Sequence, residues 1–166
     1  MIECRRKVAD DVEEKVKNGE GLWGNAQFGM TPAQVAALFP AAQIGSGRRL
    51  ISGATNLRSI FGYKLDNDLF SVDFFFLDEC LAEVVMRLER VESQDSHDNQ
   101  AAFERLVAAE TRAHGRPSGC QAAQNITLFR GCQWKIRDLR IDIVFLEIDG
   151  QGITLNAYYR SRVTKT

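Results

Sequence analysis

"FSVDFFFLDECLAEVVMRL", residues 70–88, holds two runs of alternating side chains split by a short polar break. In the first run Phe70, Val72, Phe74 and Phe76 share one face, and Ser71, Asp73, Phe75 and Leu77 share the other. In the second, Ala82, Val84, Met86 and Leu88 oppose Glu83, Val85, Arg87 and Glu89. Two period-two runs joined by Asp78-Glu79-Cys80 predict an antiparallel hairpin with a short loop.

That hairpin needs further strands and a cover for its apolar face. Downstream, strands are expected around Cys132 to Asp138, Arg140 to Ile148 and Ile153 to Arg160, the last two joined by the turn "DGQG" at 149–152. Between the two groups a helix should run from about Ser96 or Asp98 to His114, burying Phe103, Leu106 and Val107. Gly115 stands where a left-handed C-cap is wanted, and Pro117 follows. Residues 43–56, "QIGSGRRLISGATN", read as loop or a weak edge strand.

Upstream, "QFGMTPAQVAALFP" at 27–40 spells a helix start. Thr31 is a favoured N-cap, Pro32 suits the first helical position, and Gln34 can reach back to complete a capping box. Met30 with Val35 can form a hydrophobic staple, and Val35, Leu38 and Phe39 share a face. Farther back, Val8, Val12 and Val16 make a thin stripe among charges, which predicts a helical appendage over residues 1–20. Residues 21–166 should then form a single α+β domain, an antiparallel sheet with helices packed on one face, in the order α-(α)-β-β-β-α-β-β-β. The halves share the order of helix then strands, without a repeat at the level of residues.

Composition narrows the function classes. The chain has 166 residues, 45% hydrophobic and 26% charged, with a net charge of −1. Near-neutral charge supplies no general field toward nucleic acid or anionic membrane, so no nucleic-acid partner is expected. A helical membrane span needs about 20 apolar residues, and no such run is present. The first residues, "MIECRRKVADDVEEKVKNGEG", hold no apolar signal core. The expected location is cytoplasmic if Met1 is the native start, and periplasmic or secreted if a signal was removed.

No catalytic residue, metal ligand or cofactor site is expected. The two histidines, His97 and His114, sit at opposite ends of the predicted second helix, where capping and the helix dipole account for them. Cys80 lies beside Asp78 and Glu79, whose charge would raise a thiol pKa, the wrong setting for a nucleophile. Gly45, Gly47 and Gly53 lack the strand and helix context of a dinucleotide loop. Arg130, Lys135, Arg137 and Arg140 could form a basic strip on adjacent strands, or simply solvated faces. Cys120 and Cys132 flank a short segment that could fold back and pair them, closing a loop worth about 3 kcal/mol. A buried free thiol at Cys132, in step with Trp134 and Ile136, is the competing account.

One sheet face should be core: Phe70, Val72, Phe74, Phe76, Val84, Met86, Leu88, Trp134, Ile136, Ile143, Phe145, Leu155 and Tyr159. The opposite parity mixes charge with large apolar residues, which a purely solvated face would not collect. Phe75, Val85, Arg87, Lys135, Val144, Leu146 and Tyr158 are therefore the candidate partner-binding surface, with Phe75 and Tyr158 as anchors. The occupant would be an unidentified protein or a second copy of the chain, unless the N-terminal helix covers this face. A pocket between sheet and helices, for a small molecule or for catalysis, is the alternative.

The segment Phe28, Gly29, Met30, Thr31, Gln34 and Val35 resembles the helix-start motif of the β-lactamase-inhibitor-protein-like fold, and of small bacterial outer-membrane assembly lipoproteins. In such inhibitors the motif opens each of two units, whereas the second helix here opens with "DSHDNQAAFERL". The resemblance implies helices on an antiparallel sheet and a non-catalytic interaction module, such as an inhibitor or immunity-type protein.

Overall fold

The computed structural model describes residues 21–89, 96–125, 127–148 and 152–161. The predicted appendage over residues 1–20 lies outside the described residues, as does the "DGQ" of the last turn. The chain is α+β and mostly sheet. Helix α1 spans Pro32–Leu38 and α2 spans Ser96–His114. The strands are β1 (Gln43–Ile44), β2 (Thr55–Leu65), β3 (Asp68–Leu77), β4 (Cys80–Leu88), β5 (Gly119–Gln124), β6 (Thr127–Ile136), β7 (Leu139–Ile148) and β8 (Gly152–Ser161).

These eight strands form one antiparallel sheet in the order β1-β2-β3-β4-β8-β7-β6-β5. Helix α1 precedes the meander β1–β4, and α2 precedes the meander β5–β8. The halves meet where β4 pairs with β8, in the register Val84↔Tyr159 and Met86↔Ala157. The observed order α-β-β-β-β-α-β-β-β-β replaces the predicted one because two strands escaped the period-two test. Strand β2 carries register shifts between Asn56 and Arg58 and between Ile60 and Tyr63, the second beside Gly62 at φ +67°. Each bulge inserts a residue and breaks the alternation. Strand β5, "GCQAAQ", is an exposed edge with no large apolar side chain.

The helix start is built as its sequence spells it. The Gln34 N–H donates to Thr31 Oγ1 at 3.3 Å, and the Thr31 N–H donates to Gln34 Oε1 at 2.8 Å. The preceding residues dock on the sheet: the Gly29 N–H donates to the Leu81 carbonyl, and the Leu81 N–H to the Met30 carbonyl, each at 2.8 Å. Leu81 can be reached because Phe75 opposes Glu83 while Phe76 opposes Leu81, which makes Ala82 the extra residue of a bulge. The bulge sends Leu81 into the main core and moves Ala82, expected there, to the other face.

Every other residue expected on the buried face belongs to one cluster with Val35, Phe103 and Leu106 of the helices. Helix α2 is anchored at its middle: Arg105 forks onto buried Asp68 through bonds of 2.7 and 2.6 Å. It ends where the Gly115 N–H, at φ +79°, bonds the Thr111 carbonyl at 2.9 Å. The hairpin turn Asp78-Glu79 has φ +50° and +64°, the left-handed pair that matches strand twist in a two-residue turn.

Candidate functional site

The seven residues expected to bind a partner do share one sheet face, opposite the helices. Val85 pairs with Tyr158 across β4 and β8. Val144 and Leu146 lie on β7, and Lys135 on β6. They are not equally accessible. Phe75 is 0% exposed and Val85 2%, packed in a second cluster with Ala54, Leu50, Leu77, Ala82 and Tyr158. The glycine-rich segment after β1 supplies that cover, with the Arg48 guanidinium 5.3 Å from the centre of the Phe75 ring. Phe75 is thus a core residue and not an exposed anchor.

The same segment is tied down by buried Asn56, whose Oδ1 accepts from the Ser46 N–H at 2.7 Å and whose amide donates to the Arg58 and Phe74 carbonyls. A Cβ at Gly45 would stand 2.6 Å from that Oδ1, so glycine is required there for packing and not for a phosphate. Ser59 Oγ donates to Asp73 Oδ1 at 2.7 Å, and Arg87 Nη2 donates to Asp73 Oδ2 at 2.6 Å. Arg87 is therefore committed to a buried carboxylate, and its own Nε is buried without a hydrogen-bond partner.

Part of the anticipated basic strip exists. Arg160, Arg140 and Lys135 stand directly opposite one another across β8, β7 and β6. Acids offset two of them: Arg160 Nε lies 3.1 Å from Glu83, and Arg140 Nε lies 2.7 Å from Asp142. Burial alone would raise the Asp142 pKa, but its bonds from Arg140 and Gln133 outweigh that and hold it below the ordinary value. Arg130 leaves the strip, bonding Glu104 of α2 at 3.0 Å. Half-buried Tyr158 lies under the Arg160 guanidinium, 4.9 Å from its ring centre, while Lys135 is exposed.

At the sheet edge Cys120 and Cys132 are directly opposed and form a disulfide. Cys80 is also disulfide-bonded. The fourth cysteine of the chain is Cys4.

The more developed site lies on the helix side of the sheet. A cleft of about 390 Å³ opens between α2, the strands and the loop that begins at Gly21. The loop turns tightly, the Ala26 N–H bonding the Trp23 carbonyl at 2.8 Å. This sets Trp23 in an aromatic group, its ring centre 5.1 Å from Tyr63, 5.5 Å from Phe39 and 5.8 Å from Phe74. Its indole N–H points to Met86 Sδ at 3.0 Å, which leaves the ring itself to line the cleft. Leu65, Ile136 and Leu139 complete the apolar wall.

Helix α2 contributes Ala109, Glu110, Ala113 and His114. The small alanines leave the room, and Glu110 and His114, one turn apart, bring polar groups into it. Tyr159 Oη donates to Glu110 Oε1 at 2.5 Å, and His114 Nε2 lies 3.4 Å from Glu110 Oε2. The Glu110 side chain is 12% exposed. Burial pushes its pKa up, only partly opposed by the Tyr159 bond and the nearby His114. Tyr159 is fully buried, and burial next to the Glu110 carboxylate pushes its pKa well above the ordinary value for a phenol. Tyr159 thus keeps its proton and donates it in the bond to Glu110.

Sequence reasoning placed Tyr159 in the core and His114 at a helix end, but did not bring either to Glu110. The one available signal was Glu110 and His114 at a spacing of four. No protein-family model, curated protein or solved structure matches this chain.

Proposed function

We propose that this domain binds a small, largely apolar molecule in the cleft between α2 and the sheet. One observation carries the reading: an apolar cleft converges on the hydrogen-bonded set of Tyr159, Glu110 and His114. Concave, mostly apolar sites with few placed polar groups are the usual form of small-molecule sites. A buried carboxylate with a raised pKa is a group whose free energy a ligand can change. Binding is favoured over turnover because Tyr159 holds its proton firmly, and because His114, which also lines the cleft, is set against Glu110.

The test uses the neutral dye N-phenyl-1-naphthylamine, which brightens in apolar surroundings. The folded protein should bind one dye per chain, and Ala109→Phe, which fills the cleft from the helix side, should abolish the signal while the melting temperature holds. Equal dye binding by both proteins would place the dye elsewhere and remove the proposal.

A second reading keeps the opposite sheet face as a protein interface, in line with the inhibitor-like resemblance. Supporting it, Tyr158, Val144 and Leu146 retain exposure on the face that also carries the cations Lys135, Arg140 and Arg160. The twice-built arrangement of a helix and a four-stranded meander is in keeping with a two-unit fold of that kind. Tyr158→Ala should then weaken partner binding or self-association by about 1 kcal/mol or more without unfolding the chain. Unchanged association would remove it.

A further inference from the structure

We infer that the cleft selects organic cations: an amine carried on an apolar, ring-sized body. The inference rests on the proposal that the cleft is a binding site, and adds the charge of its ligand. Two carboxylates, Glu110 and Asp138, line the cleft, and His114 is the one basic side chain among its described lining residues. That histidine is already set against Glu110. Trp23 and Tyr63, packed edge to face, both line the cleft, and aromatic rings attract a cation placed over them in a partly desolvated site. The Trp23 indole N–H, the group that would favour an anion or acceptor, is already engaged by Met86 Sδ.

The desolvation of Glu110 points the same way. A carboxylate kept 12% exposed has lost most of its water, and among the described residues its two oxygens face only the Tyr159 hydroxyl and His114. An ammonium group entering the cleft would restore the missing stabilisation as a charge-assisted bond. A neutral ligand of equal shape would gain the apolar contacts alone. A carboxylate ligand would meet Glu110 and Asp138 as like charges. The selectivity therefore sits in the polar end, and the affinity in the apolar wall.

The experiment compares three probes of equal length, 3-phenylpropylamine, 3-phenylpropanol and 3-phenylpropionate, each competing with the neutral dye at pH 7. The amine should bind at least tenfold more tightly than the alcohol, and the acid most weakly. Glu110→Gln should remove the advantage of the amine over the alcohol. Equal affinities of amine and alcohol, or an advantage that survives Glu110→Gln, would overturn the cation selectivity while the cleft remains a binding site. If neither the dye nor any probe binds the folded protein, the binding site itself falls, and the selectivity with it.

Discussion

Tyr159 on β8 and Glu110 on α2 share a hydrogen bond of 2.5 Å, although 49 residues separate them in the chain. The bond exists because α2 carries the chain from β4 in the middle of the sheet to β5 at its edge, over the strand that returns last. The pair is thus a product of topology. It joins the helix to the sheet and gives the cleft its polar end.

A pH dependence follows from the raised pKa of Glu110. Its folded value lies above the ordinary 4.5, so the folded state holds the proton more tightly than the unfolded chain. The stability that this contributes is fully present below about pH 4.5 and is lost as pH rises through the folded value. Denaturant melts of the wild type and Glu110→Gln across pH 4 to 8 should show the wild type losing stability relative to the variant as pH rises. A constant difference would contradict the burial argument.

The Arg105–Asp68 fork fastens the middle of α2 to the start of β3, with Asp68 only 3% exposed. Arg105→Ala should lower stability by about 2 kcal/mol, because a buried carboxylate then loses its partner. Urea melts would read the loss. A change below about 0.5 kcal/mol would mean that Asp68 is hydrated without Arg105.

Thr31→Ala removes one half of a capping box that is present in both directions. The expected loss is about 1 kcal/mol. Dye binding in the cleft should persist, since Thr31 is not among the lining residues. Loss of binding at an unchanged melting temperature would assign the helix start a role that its geometry does not show.

Three of the four cysteines, Cys80, Cys120 and Cys132, are in disulfides. Thiol titration of the unfolded, unreduced protein should therefore find at most one free thiol per chain. Finding three or four after preparation in air would show that these bonds do not form. Joining β5 to β6 at an exposed edge, the Cys120–Cys132 bond should contribute about 3 kcal/mol, read as the loss on replacing both by alanine.

Much of this fold is legible where local rules act alone. Thr31, Pro32 and Gln34 announce a helix start because capping needs only neighbours, and the structure builds that box. The 70–88 hairpin is legible because its alternation runs almost unbroken. Where tertiary context intervenes, the reading fails. The strand around Ile60 is hidden by two bulges, and the one around Cys120 is an exposed edge that needs no apolar face. Phe75 looked like an exposed anchor because its parity is opposite to the core. Nothing local says that the glycine-rich segment near Leu50 folds over it. The cleft was the least legible part, since its polar end depends on Glu110 and Tyr159 meeting across the crossover.

The central claim is that ligands enter the cleft beside Trp23, and the chain offers its own reporter, for it has only two tryptophans. Trp23 lines the cleft, whereas the Trp134 indole N–H is held by the Gly115 carbonyl at 2.9 Å, away from the lining. Titration of ¹⁵N-labelled protein with 3-phenylpropylamine should move the Trp23 indole peak in a saturable way and leave that of Trp134 in place. A Trp23 peak that stays fixed through saturating ligand would contradict the account.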